Sequence, residues 1–480
     1  MNLISYSFLV FFLSSVLLYH LVPRQIRSII ITIFGMFFYM WASPILILYP
    51  VSAALMSYLF GLVLSRADKS KKLVLASGII LVLLPLLFTK YLPYCFSLLN
   101  HSSRLSLVVP IGISYFTLEA VGYLIDVYRE PSSKMGLFRL FSFFLFFPKI
   151  LSGPICKPGD LIPQIITAEG ATLKDYSYGI IRMLSGLFKK AVIADNLAKY
   201  VEKAFYSPES TPGPALIICA VLYSFQLYYD FTGCMDIVVG AAKCFGISLP
   251  ENFKTPYFSS SIKEFWNRWH ISLSKWYRDY VYFPLGGSRK GSAKTAFNIL
   301  VIFILSGLWH GAGITFLLWG LWHGLLRCSE TLLSAKGKSR ERTTAFGRLL
   351  KKLMVFIAVS FGWIIFRSNS ITSFARYIKG TAFYWNTSDV FNWFYSIVIS
   401  GYGNSPDYGK YVFFAVIIAF IYAIIMDLIS YRSEKSNIYD PCPAASFPIW
   451  IKIPLLFIMI LLILSVGNFG SSSFIYYKFD

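Results

Sequence analysis

Charge is scarce in this chain. Only 14% of its 480 residues are Asp, Glu, Lys or Arg, against about a quarter in soluble globular proteins. Acidic residues are scarcer still, 23 against 44 basic, which leaves a formal net charge of +21. Apolar residues fill the space: 56% are hydrophobic and 18% aromatic, and mean hydropathy is +0.61. Length alone suggests about three soluble domains. The low charge and repeated apolar runs exclude that and point to one polytopic membrane domain over residues 1–480. Nucleic acid is not an expected partner, because the basic residues lie in short segments between apolar runs.

Other absences narrow the chemistry. The seven cysteines form no Cys-x-x-Cys or other metal-ligand spacing, so no metal site is expected, and most read as small core residues. No phosphate-cradling Walker loop and no Gly-x-Ser-x-Gly elbow occurs. No pair of helix bundles repeats, as the halves of many transporters do. Histidine is limited to five residues.

Apolar stretches fall near 3–21, 27–44, 46–64, 73–90, 106–124, 136–153, 214–229, 297–309, 314–331, 350–366, 410–430 and 449–467. A spanning helix needs roughly 17–25 residues, and several stretches are short or interrupted by Gly and Pro. About 11 to 13 helices are expected, some tilted or re-entrant. Residues 2–19 lack a basic leader and a small-residue cleavage site, so they read as a retained first helix. Three basic clusters mark the cytoplasmic side by the positive-inside rule: Arg66, Lys69, Lys71 and Lys72; Arg289, Lys290 and Lys294; and Lys336, Lys338, Arg340, Arg342, Arg348, Lys351 and Lys352. Some of these residues also suit an acidic partner or anionic lipid. Residues 384–409 read as a polar, aromatic surface excursion and 431–448 as a loop.

Residues 226–296 differ from the rest. They are rich in Tyr, Trp, Asp, Asn, Arg and Pro, without a clean spanning run. Irregular backbone at membrane depth is tolerated where protein buries it or where it lines a wet cavity, so a site is expected there. Within this segment, Trp266, Trp269, Leu273, Trp276 and Tyr280 fall at i, i+3, i+7, i+10 and i+14, one apolar face of a helix. An interfacial anchor helix explains these residues. It leaves His270 and Asp279 unexplained, and an Asp so placed is more often an Arg partner than a catalyst.

Two histidines sit in copies of one tetrapeptide: Leu308-Trp309-His310-Gly311 and Leu321-Trp322-His323-Gly324. Ionisable side chains in apolar spans are costly and by default suggest function. On one continuous helix these two would lie roughly 20 Å apart along the axis, too far to share a reaction centre unless Gly311 and Gly313 break the helix. Small residues surround His310, so backbone there approaches a substrate closely. His323 lies in a more regular aromatic helix. His310 is therefore the favoured reactive group. As a general base it would take the proton of a hydroxyl attacking an activated acyl group; a proton relay in a transporter is the rival role.

At these residues the chain resembles the membrane-bound O-acyltransferase (MBOAT) superfamily, and more closely its bacterial branch of alginate O-acetyltransferase and teichoic acid D-alanyl transfer proteins. The resemblance is carried in order by GISYFTLEAVGYLIDVYR (112–129), FFPKILSGPICKP (146–158), FQLYYDFTGCMDIVVGAAKCFGISLPENFKTPY (225–257), EFWNRWHISLSKWYRDYVYFPLGG (264–287), LWHGAGITFLLWGLWHG (308–324) and WIIFR (363–367). It implies an all-α ring of helices around a central tunnel, with the motif-bearing core at about 110–370 and further helices and an aromatic tail at 371–480. It implies His310 as the catalytic base and His270 beside it in the tunnel. His323, Trp269, Trp309, Asn267 and Ser274 would be supporting residues. The C-terminal SSSFIYYKFD resembles the aromatic end of that branch, which makes Tyr476 a candidate acyl relay. Asp230, Asp236, Glu251 and Asn252 read as structural or tunnel-lining, and Cys156 and Lys157 lie where relatives vary. The implied reaction moves an acyl group, most often acetyl, from a cytoplasmic thioester to an extracytoplasmic polysaccharide or peptidoglycan hydroxyl. The thioester would be acetyl-CoA or an acylated carrier protein, with no tightly bound cofactor. A periplasmic SGNH-type partner and a bacterial inner-membrane location complete the expectation. D-alanyl transfer to teichoic acid is the alternative, and transport a further one.

Overall fold

The computed structural model describes residues 3–41, 43–99, 109–150, 152–335, 344–385, 388–400, 406–436, 438–469 and 475. Every regular element among the described residues is helical. Seven helical runs among them are long and apolar enough to cross a membrane: Pro44–Arg66, Lys71–Phe96, Gly213–Lys243, Gly291–His310, Ala345–Arg367, Asp407–Lys435 and Ile449–Val466. Shorter helices such as Tyr6–Leu21, Arg24–Met40 and Ile113–Arg129 pack among them. The chain is an all-α, multi-pass membrane protein.

Burial ranks the spans. Only 17% of the apolar stretch of Ile449–Val466 is covered by protein, against 72% for Gly213–Lys243. The first faces lipid and the second is the core. This core helix departs from expectation. Its polar residues broke the apolar run at 229, yet the helix runs on to Lys243 and is 31 residues long in all. The reason is pairing: Asp230 meets Lys190 at 2.6 Å, and Asp236 meets Arg182 at 3.0 Å and Lys189 at 2.7 Å. Buried charges persist where they are paired. Glu251 completes the set by pairing with Arg182, so these acids are structural.

Two other segments also differ. Residues 136–153 do not form one span. A helix at Leu137–Phe144 stops at Leu145, and a single turn follows at Phe147–Ile150. Pro148 lacks the N–H that would continue the ladder. Residues 388–400, expected as a surface excursion, form a helix that buries Trp393, Ile397 and Val398. Its apolar face packs on the core helix rather than facing water.

Three turns of π-helix occur among the described residues, at Leu87–Tyr91, Phe188–Ala194 and Arg278–Tyr282. Such bulges swing side chains out of the regular helical register. Here they carry Lys90, the Lys189-Lys190 pair, and Arg278 with Asp279. The basic ends of the spans collect on one face, where Arg268 pairs with Glu434, Lys352 bonds the Tyr431 hydroxyl, and Lys157 pairs with Asp279. Phe96, His310 and Arg367 end spans that begin on that face.

Candidate active site

The segment expected as one interfacial helix is broken at its histidine. Ile262–Arg268 and Ile271–Tyr277 are separate helices. His270 between them takes the left-handed conformation, φ 44° and ψ 56°, which costs a non-glycine residue on the order of 1–2 kcal/mol. Neighbouring backbone supplies that energy. The Ile271 N–H donates to the Asn252 carbonyl at 3.0 Å, the Ser272 N–H to the Asn252 side-chain oxygen at 3.0 Å, and the Lys254 N–H to the Arg268 carbonyl at 3.0 Å. Ser272 in turn accepts from the Ile155 N–H. The heptad-like pattern of Trp residues is real, but the break turns His270 inward. Replacing Asn252 by Leu should destabilise the fold by ~1–3 kcal/mol, because the buried Ser272 N–H loses its side-chain acceptor while the backbone carbonyl still serves Ile271. Asn252→Asp, which keeps the side-chain oxygen that accepts from the Ser272 N–H, should be the milder change. Unfolding in denaturing detergent checks this prediction.

The two LWHG copies form a hairpin. Helix Gly291–His310 ends at Gly311, whose backbone is extended, and Ile314–Ala335 runs back against it. The crossing is close. A Cβ on Gly307 would stand 2.4 Å from the Phe316 carbonyl oxygen, and one on Gly320 would stand 2.4 Å from that of Phe303. Small residues allow this approach. The last carbonyls of the first helix find partners on another span. Lys90 donates to the Trp309 carbonyl at 2.9 Å, and Tyr91 donates to that of Leu308. His310 is thereby held at a helix end with its ring against Trp309, Trp319 and Phe366, at centroid distances of 4.8, 5.1 and 5.4 Å.

Cavities open on both sides of this turn. The inner one, of about 170 Å³, runs from Lys263, Arg278 and Arg327 on the basic face past Asn267, Trp269 and Ser274 to His270 and His310. The outer one, of about 520 Å³, begins at Gly311 and is walled by Lys90, Gln226, Phe316, Phe366 and Arg367. A further outward cavity shares Glu202, Arg367, Ser368 and Asn369 with it. Cationic groups at one mouth, paired imidazoles at the narrow end and a polar chamber beyond suit a reaction between an anionic donor and a second substrate from the opposite face.

Residues 33–367 match the sequence profile of MBOAT, the membrane-bound O-acyltransferase family. That is well over half of the chain. It belongs to this family. The acyltransferase is 34% identical over 390 residues to the probable alginate O-acetylase AlgI of Pseudomonas putida, covering 78% of each chain. It is 30% identical over 348 residues to the peptidoglycan O-acetyltransferase of Helicobacter pylori, 66% of each chain. Similarity to the teichoic acid D-alanyltransferase of Bacillus subtilis is 32% over 266 residues, 52% of this chain and 66% of the relative. A transporter reading falls with the family assignment.

In this acyltransferase the candidate residues separate into groups. His310, His270, Trp269, Asn267 and Ser274 share the inner cavity. Trp309 lies between the histidines, with centroids 4.8 Å from His310 and 6.1 Å from His270, and its indole N–H donates to the Ser114 carbonyl. His323 lies outside the linings of both chambers. It is fully buried among Trp266, Trp319 and Trp363, and neither ring nitrogen has a hydrogen-bond partner among the described residues. The helix does break at Gly311, yet the Trp319 ring stands against both His310 and His323. Asp279 is an ion-pair partner, as expected. Burial alone would raise its pKa, but bonds from Lys157 and Arg278 hold it below the usual carboxylate range. Tyr476 lies outside the described residues. Its neighbour Ile475 lines the outer cavity and donates its N–H to Asp230 at 2.9 Å.

Sequence reasoning missed Lys90, Phe316 and Phe366. A signal existed for Lys90 alone, as a cation at the end of the apolar run 73–90. The two phenylalanines were indistinguishable from lipid-facing aromatics. The described residues hold no group of His, Cys, Asp and Glu able to bind a metal ion.

Proposed function

We propose that this acyltransferase moves an acetyl group from a thioester on the cytoplasmic side to a hydroxyl of an extracytoplasmic polysaccharide or peptidoglycan, in a bacterial inner membrane. One observation carries the reading: His310 ends the inner cavity, and the next residue, Gly311, begins the outer one. A thioester entering past Lys263, Arg278 and Arg327 brings its carbonyl to the imidazole. An acceptor hydroxyl arrives from the other side. His310 takes the hydroxyl proton as the oxygen bonds to the acyl carbon. The C–S bond breaks, and the same proton passes to the departing thiolate. His270 orients the donor within the shared cavity.

The donor is acetyl-CoA or an acylated carrier protein docked on the basic face, and no tightly held cofactor takes part. On the route through an SGNH-type periplasmic partner, the Tyr476 hydroxyl is the first acceptor: its oxygen bonds to the acyl carbon, its proton passes through His310 to the thiolate, and the partner then carries the acyl group from the tyrosyl ester to the polymer hydroxyl. Support for this step is the position of Ile475 in the outer cavity wall. Acetyl is favoured over D-alanyl because the acetylase relatives align over far more of the chain.

The test is base-labile acetate in purified envelope polysaccharide and peptidoglycan, with ester-linked D-alanine measured in parallel, from cells with and without the gene. Acetate should fall in one fraction, which names the acceptor. Loss of D-alanine with acetate unchanged would overturn the acetyl assignment.

A further inference from the structure

A base poised between two chambers creates a problem that the architecture must solve. Water competes with any polymer hydroxyl for the acyl carbon. His310 would activate water as readily as alcohol, converting the thioester to acetate and free thiol without an acceptor. The chamber on the acceptor side is large and polar, at about 520 Å³.

The two chambers share no lining residue. Two aromatic rings stand at the boundary. Phe366 packs edge-on against His310 at 5.4 Å, and Phe316 packs edge-on against Phe366 at 5.1 Å. Both rings line the outer chamber, while His310 lines the inner one and is only 5% exposed. Phe316 also lies directly on the backbone that separates the chambers. A Cβ built on Gly311 would stand 2.2 Å from its ring. The extended backbone of Gly311, φ −173°, suits any residue, so the Phe316 ring is what excludes a side chain there.

We infer that Phe316 and Phe366 form a gate that discriminates acceptor from water. The closed rings keep bulk water off the thioester, and they part only when an acceptor chain displaces them. Excluding water from a reactive intermediate is a recognised function of closed sites. Here two rings of one hairpin and its neighbouring span perform it. The inference rests on the acyl-transfer reading and makes these residues specificity determinants rather than proton carriers.

The experiment uses the full chain in lipid nanodiscs with acetyl-CoA, and separately the acetyl thioester of N-acetylcysteamine, without any acceptor. Thiol release is followed chromatographically. Phe316→Ala and Phe366→Ala should raise acceptor-independent hydrolysis about tenfold, equivalent to ~1.4 kcal/mol of barrier. Gly311→Ala, which pushes the Phe316 ring aside, should raise it too. Adding His310→Ala to Phe316→Ala should abolish the gain. Unfolding cannot mimic a gained, His310-dependent activity. Should either alanine variant lose monodispersity, Phe316→Leu, which keeps apolar bulk and removes the ring, decides in the same way. Wild-type hydrolysis in monodisperse variants overturns the gate, as does a gain that survives loss of His310. If wild-type protein and variants alike show no His310-dependent thiol release from either thioester, the acyl-transfer reading fails and the gate fails with it.

Discussion

Replacing His310 by Gln should lower acyl transfer by about 10³-fold, within the 10²–10⁴ that a positioned general base contributes. The substitution keeps a planar polar group of similar reach, so the packing against Trp309, Trp319 and Phe366 is largely retained. What it removes is the imidazole nitrogen that accepts a proton and returns it. The loss should therefore appear in kcat, with the donor KM nearly unchanged, because Lys263, Arg278 and Arg327 at the cavity mouth are untouched. His323→Gln gives the contrast. That ring borders neither chamber and packs among three tryptophans. Its replacement should affect thermal stability more than turnover. Initial rates of thiol release and acceptor acetylation, on protein matched for monodispersity, check both. A His310→Gln enzyme within tenfold of wild type would remove this residue from the chemistry and bring His270 forward.

The candidate site was legible because its residues violate their surroundings. His310 and His270 are ionisable groups in an apolar or aromatic context, and that anomaly is visible in the letters alone. The letters also set His310 apart from His323: the glycines after His310 license the chain break found at Gly311, and the residues around His323 continue a helix. The break at His270 was hidden. Trp266, Trp269, Leu273, Trp276 and Tyr280 keep perfect helical spacing across it. The decisive hydrogen bonds come from Asn252, 18 positions upstream of His270, and periodicity within one segment carries no information about a partner outside it. The aromatic gate was hidden for a related reason. Phe316 and Phe366 differ from dozens of other phenylalanines only by what they touch.

The same logic divides the fold. Peripheral spans such as Ile449–Val466 face lipid on most sides, so composition announces them. The core helix Gly213–Lys243 has protein around most of its surface, and burial lets it carry acids that lipid would not tolerate. Hydropathy therefore truncated the most deeply embedded element of the molecule.

Lys190→Met tests that core. The Lys190 ammonium meets Asp195 at 2.7 Å and Asp230 at 2.6 Å, and all three side chains are buried. Removing the cation leaves two carboxylates in low dielectric. Breaking a buried pair from one side costs about 3–5 kcal/mol, so the folded population in a denaturing-detergent titration should drop sharply. Neutralising the acids as well is informative. Asp195→Asn and Asp230→Asn in the Lys190→Met background remove the stranded charges and keep the shapes, and should recover more than half of the lost stability, because coupled sites are strongly non-additive. Asn at 230 still offers an oxygen to the Ile475 N–H, so the wall of the outer chamber survives in the triple variant. If the triple variant is no more stable than Lys190→Met alone, the cluster contributes through packing rather than charge pairing. If it is stable and active, the cluster's charges serve the fold and have no part in catalysis.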